Sequence, residues 1–268
     1  MGASLCKSIK KHKITNKISG FDSNSDNLEY ALKNKIVDNG YKDLNKINHP
    51  DLIILCTPIS TYSDIIYQIL KSIKKKTILT DIGSSKGNSH QKITKKLSKS
   101  KIDYLSSHPM VGSEKSGIKH SKSNMYENKI IFIIDKTTVK KSVYNYINSF
   151  WLSIGAVTHN INKKEHDDLM AQTSHISHPM SYIFMQSLPQ SVIDNNLSLL
   201  LGGGIKEHVR LSKSDPKMWS DIFINNRRNI KKTVARIQKN ISEIKTIIDK
   251  SDEEKLKNLL ENIQSKTI

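Results

Sequence analysis

His108 stands in the run Ser107-His108-Pro109-Met110-Val111-Gly112-Ser113-Glu114-Lys115-Ser116-Gly117. An imidazole titrates near neutrality, so it can take up a proton during a reaction at physiological pH. The flanking proline and glycines restrict the backbone that presents it. A second run, Thr80-Asp81-Ile82-Gly83-Ser84-Ser85-Lys86-Gly87, ends a predicted strand. There Ser85 reads as a helix cap, and Ser84 has a hydroxyl that could point into a cleft. In a third, His166-Asp167-Asp168 precedes His175 and His178, which share a helix face at i, i+3. No third ligand stands at a zinc-like spacing, so no metal is expected, and the carboxylates beside His166 read as capping or exposed. A fourth run holds Arg210, which could grip a carboxylate with two parallel hydrogen bonds or form a surface ion pair. Trp219, in the same stretch, reads as packing.

The N-terminus offers a binding site rather than a reactive group. Gly2 opens directly into a helix from Leu5 to about Lys11, and Asp22 follows at the end of the next strand. In a dinucleotide fold, a glycine at this helix start lets a pyrophosphate sit on unpaired backbone N–H groups. An acidic residue ~20 positions later bonds the adenosine ribose and repels a 2′-phosphate, which favours NAD over NADP. The usual fingerprint has two more glycines and a preceding strand, and neither is present. The expectation is a fold lacking its first, central strand, with its neighbours left unpaired and Met1 an internal methionine of a longer reading frame.

The elements that must position these residues alternate. Strands are predicted at Lys17–Phe21, Asp51–Cys56, Thr77–Thr80, Ile102–Leu105 and Lys129–Ile134. Helices fall at Asp26–Asn34, Thr61–Ile73, Lys86–Leu97 and Thr138–Phe150. This order implies a doubly wound, mostly parallel sheet whose ligands bind at the carboxyl ends of the strands. From about Lys163 onward only helical patterns follow, at 163–188, 191–212, 216–248 and 251–264. The expected division is a Rossmann-like α/β domain over 1–160 and an all-helical domain over 161–268.

Composition excludes several classes. Apolar runs are short, so no membrane span is expected. The two cysteines form no disulfide framework, which suits a reducing cytoplasm. The net charge is +18, yet only four of the 43 basic residues are arginines and the lysines are dispersed. That pattern argues against nucleic acid as the partner, although the field could draw in an anionic substrate.

Together and in this order, the four runs resemble the prephenate/arogenate dehydrogenase family. The resemblance extends from Gly2 to about Ile230. It implies NAD-dependent oxidative decarboxylation of prephenate to 4-hydroxyphenylpyruvate, of arogenate to tyrosine, or of both. It implies a homodimer formed through the helical domain. His108 matches the catalytic histidine and Ser84 the serine that orients it. Arg210 and His178 match substrate-binding positions, Ser113 and Glu114 border the pocket, and Thr57 lies on a cofactor-side loop. Glu207 departs from an aspartate common in the family. A two-domain dehydrogenase of the β-hydroxyacid type, or an inactive truncated relative, are the alternatives.

Overall fold

The computed structural model describes residues 1–47, 49–112, 117–191 and 203–266. The chain enters through α1 (Gly2–Lys11) and continues through β1 (Ser19–Phe21), α2 (Ser25–Lys33), β2 (Asn39–Tyr41) and β3 (Leu52–Leu55). Then come α3 (Tyr62–Ser72), β4 (Thr77–Asp81), α4 (Gly87–Leu97), β5 (Ile102–Tyr104), β6 (Ser107–Pro109), β7 (Ile130–Ile134), α5 (Lys141–Ser153) and β8 (Val157–Ile161). Among the described residues only helices follow: α6 (Lys163–Met170), α7 (Ser177–Gln186), α8 (Gly203–Ser212), α9 (Pro216–Asn225), α10 (Arg227–Asp249) and α11 (Glu253–Gln264).

Apolar runs at β3 and β4 form strands buried on both sides, as parallel sheets require. Their side chains alternate between two cores. Leu52, Ile54 and Ile78 face one core with Leu5 and Ile9 of α1 and Ile147 and Trp151 of α5. Ile53, Leu55 and Leu79 face another with Ile66 and Ile69 of α3 and Ile93 and Leu97 of α4. This is the doubly wound arrangement the alternation of elements implies.

The sheet is broken into three groups, β1–β2, β3–β4–β5 and β6–β7–β8. β1 and β3 have no ladder between them, so the parallel sheet is interrupted there. Three strands, β2, β6 and β8, were not read in the sequence. The second matters most: β6 runs antiparallel to β7 and sets His108 opposite Phe132. Pro109 tolerates this place because a proline at a strand's end forgoes few ladder bonds. The helix expected at Thr138–Phe150 runs instead from Lys141 to Ser153. The helix expected over 216–248 is broken at Asn226, between α9 and α10. Much of the helix expected over 191–212 lies outside the described residues.

Candidate active site

His108 is 6% exposed and is held by its ring. Its Nδ1 lies 2.8 Å from His166 Nε2, and the two rings meet edge to face at 5.1 Å. Its Nε2 has no protein partner among the described residues. Burial, followed by the neighbouring His166, Lys86 and His175, holds His108 well below the usual histidine pKa. It is therefore neutral, and able to accept a proton, at pH 7.

The backbone that carries His108 is anchored from below. Lys86 is 1% exposed, and its Nζ donates to Asp81 Oδ1 at 2.7 Å and to the Ser107 carbonyl at 2.8 Å. Tyr104 and Ser106 hydroxyls donate to Asp81 Oδ2 at 2.7 and 2.6 Å, and the Gly83 amide donates to Oδ1 at 2.8 Å. Burial alone would raise the Asp81 pKa, but the Lys86 charge and these hydrogen bonds bring it below the carboxylate range. Trp151 Nε1 donates to Ser107 Oγ at 3.0 Å. Sequence reasoning passed over Asp81 and Lys86. Their signal was the spacing of an aspartate at a strand's end and a lysine five residues on.

The helical half closes on this layer through α4. The two carboxylates read as capping or exposed divide between those fates: Asp168 is exposed, while Asp167 is 4% exposed and caps. It caps a helix other than its own, accepting from the Lys86 amide at 2.9 Å and the Gly87 amide at 2.7 Å. The cap expected from Ser85 is not made; the Ser85 hydroxyl instead accepts from Asn225 Nδ2 at 2.9 Å. A β-carbon on Gly87 would lie 2.0 Å from the Asn225 carbonyl oxygen, so only glycine permits this approach. Asn226, at the break between α9 and α10, donates to the Asp167 carbonyl at 2.7 Å and lies 3.1 Å from His175 Nδ1. One π-helical turn, Ala171–His175, links α6 to α7 and sets the register of His175 and His178.

His178 stacks on Trp219, ring centroids 3.4 Å apart. His178 Nδ1, His175 Nε2 and Trp219 Nε1 are buried with no hydrogen-bond partner among the described residues. Orphaned polar atoms of this kind suit a pocket for a polar ligand. Burial, opposed by a hydrogen bond to the Leu211 backbone and reinforced by the Arg210 charge, lowers His178 to about 4. Arg210 lies within electrostatic reach of this ring and pairs with Glu207 one turn back on α8. Ser84 is half-buried at the carboxyl end of β4 and is not bonded to His108; that contact belongs to His166. Ser113 and Glu114 lie outside the described residues.

Of the residues expected to bind a dinucleotide, Gly2 begins α1, while Asp22 and Thr57 follow β1 and β3. A β-carbon on Gly2 would come within 3.0 Å of Cys56 Cβ, so glycine lets the start of α1 approach the end of β3. Asp22 follows β1 and accepts from the Asn24 amide at 2.8 Å. Thr57 follows β3 and receives a hydrogen bond from Thr61 at 2.9 Å. A helix start with no acidic residue in its first turn, packed against the end of β3, fits a dinucleotide pyrophosphate. No described helix is long and apolar enough to cross a membrane.

The buried histidines predict how the protein responds to acid. Burial, then His166, lowers His175 to about 4. Below 6.5 the unfolded chain binds a proton that the native site refuses, so stability falls as pH drops from 6.5 toward 4. His175 alone costs about 2 kcal/mol between pH 7 and pH 5. His108, His166 and His178, also lowered, act in the same direction. Urea unfolding at fixed protein concentration should show this loss, and equal stability at the two pH values would contradict it.

Comparison with known proteins adds independent findings. The family model "Prephenate dehydrogenase, nucleotide-binding domain" matches residues 5–160, and "Prephenate dehydrogenase, dimerization domain" matches 162–262. A prephenate dehydrogenase of Lactococcus lactis is 26% identical over 264 residues, covering 97% of this chain and 72% of the relative. The crystal structure of prephenate dehydrogenase from Aquifex aeolicus, in complex with hydroxyphenyl propionate and NAD+, superposes with a TM-score of 0.89 at 28% identity. That match covers 98% of this chain and 92% of the other. Synechocystis arogenate dehydrogenase shares the fold, with a TM-score of 0.78 at 19% identity over 98% of this chain and 94% of the other.

Proposed function

Because the chain belongs to the prephenate dehydrogenase family, we propose that His108 is the general base in an NAD-dependent oxidation of prephenate, arogenate or both. The observation that carries this reading is the neutral, buried imidazole whose Nδ1 is tied to His166, leaving Nε2 for the substrate. Nε2 takes the proton of the ring 4-hydroxyl while hydride leaves the same carbon. NAD supplies the acceptor for that hydride. Loss of the ring carboxylate as carbon dioxide then makes the ring aromatic. The reaction is strongly downhill, so the protein mainly orients the hydride, removes one proton and holds the anionic groups.

The other assignments belong to the same reading. Ser84 lies beside the reacting hydroxyl, and His178, Ser113 and Glu114 are assigned to substrate binding. Gly2 and the first turn of α1 hold the pyrophosphate, Asp22 the adenosine ribose, and Thr57 the cofactor-side loop. Residues 1–160 serve the cofactor, while 161–268 complete the substrate site and pair two subunits. Exposed Ile241 and Ile248 on α10, with Leu260 and Ile263 on α11, offer apolar surface for that pairing.

Arg210 holds the substrate carboxylate in place of Glu207. Both side chains are largely exposed, so exchanging one carboxylate for another costs little. Arg210→Lys should raise KM about tenfold or more with a small change in kcat, because lysine cannot make the two-pronged contact. An unchanged KM removes Arg210 from the site. The central test is NADH formation with prephenate and with arogenate, each with NAD and with NADP. Turnover with NAD on at least one substrate is expected; no turnover on either contradicts the reading.

A further inference from the structure

We propose that His166 and Asp167 are positioning residues that fix the ring tautomer of His108. The inference rests on the reading of His108 as the base.

The proton positions follow from the acceptors. Asp167 has only acceptors to offer, and they meet three donors: the Lys86 amide and His166 Nδ1 on Oδ1, at 2.9 and 3.0 Å, and the Gly87 amide on Oδ2 at 2.7 Å. Burial would raise the Asp167 pKa, but the hydrogen bonds from His166 and the two amides lower it, so the carboxylate is ionised. An ionised Oδ1 at 3.0 Å requires the hydrogen on His166 Nδ1. Burial keeps His166 neutral against the pull of Asp167, so its Nε2 carries a bare lone pair. That lone pair lies 2.8 Å from His108 Nδ1, which must therefore carry the hydrogen. His108 is left as the Nδ1–H tautomer, with its lone pair on Nε2. The opposite arrangement would set a bare His166 Nδ1 against the carboxylate, lone pair to lone pair.

The relay does two jobs. It presents the correct nitrogen before reaction, and it passes part of the charge of protonated His108 toward Asp167 afterwards. Its parts come from opposite sides of the interface: His108 from β6, His166 and Asp167 from α6. The base is thus oriented only when the helical half is docked on α4.

The relay is tested in the full-length protein by two substitutions at one position and by nitrogen-15 NMR of the imidazoles. His166→Leu fills the space but accepts no hydrogen bond. It should lower kcat about 10- to 100-fold with KM changed less than about threefold. His166→Gln keeps an acceptor for His108 Nδ1 and should recover most of the loss. Purely structural packing would instead favour leucine, and that ranking would overturn the proposal. The His108 resonances should report the Nδ1–H tautomer in the wild type and a mixture or the Nε2–H form in His166→Leu. A wild-type His108 in the Nε2–H form would overturn the relay whatever the kinetics show. If His108→Asn retained turnover while the tautomer shift appeared, the base assignment would fall and the relay would stand.

Discussion

His108→Asn is expected to lower kcat by about 10²–10⁴-fold, the range a single general base supplies. Asparagine is polar and smaller than histidine, and its amide can still donate to His166, so the buried site keeps a hydrogen-bonded partner. It has no lone pair that takes up a proton near neutrality. Circular dichroism and the unfolding midpoint should therefore stay close to wild type while turnover collapses. Because burial and its cationic or imidazole neighbours hold His108 low, the acid limb of kcat/KM should lie below 6.5. The groups facing this ring are His166 on α6, Lys86 before α4 and His175 in the π-helical turn. Turnover within about threefold of wild type at saturating substrate would remove His108 from the chemistry.

Lys86→Met is expected to be the most destabilising single change near the site. Lys86 and Asp81 are each 1% exposed, and Asp81 receives the lysine at 2.7 Å. Methionine matches the length of the stem but leaves a buried carboxylate without its counter-charge. Breaking such a pair from one side costs about 3–5 kcal/mol. In a chain of this size that corresponds to a fall in Tm of the order of 10 °C. The Ser107 carbonyl also loses its donor, so the backbone carrying His108 loosens and kcat should fall as well. The double variant Lys86→Met with Asp81→Asn removes the stranded charge and should regain part of the stability. A single variant as stable as wild type would show that the pair contributes no net energy.

These expectations rest on side chains that the sequence revealed unequally. The runs Leu52–Leu55 and Ile130–Ile134 could be read directly, because apolar stretches of that length between turn signals have few other fates. His108, Ser84, His178 and Arg210 stood out as candidates because reactive residue types lay at strand ends and on one helix face. Lys86 did not stand out: in a chain so rich in lysine, only its place five residues after the strand-ending Asp81 sets it apart. Asp167 was read as capping or exposed, and it does cap, but the helix it caps begins 80 residues earlier, at Gly87.

The sequence by itself determined the alternation of elements, the change to helices after β8 and the identity of the groups able to react. Local hydrophobic period and residue chemistry suffice for these. Only the tertiary structure decided that β6 is a strand, since three residues containing a proline take that form by pairing with β7. The tertiary structure alone also decided which histidine nitrogen faces a substrate. That choice passes from Asp167 through His166 to His108, across 58 residues of chain between the two rings. A tautomer is set by the acceptor that folding brings to the ring, and no local pattern encodes that neighbour.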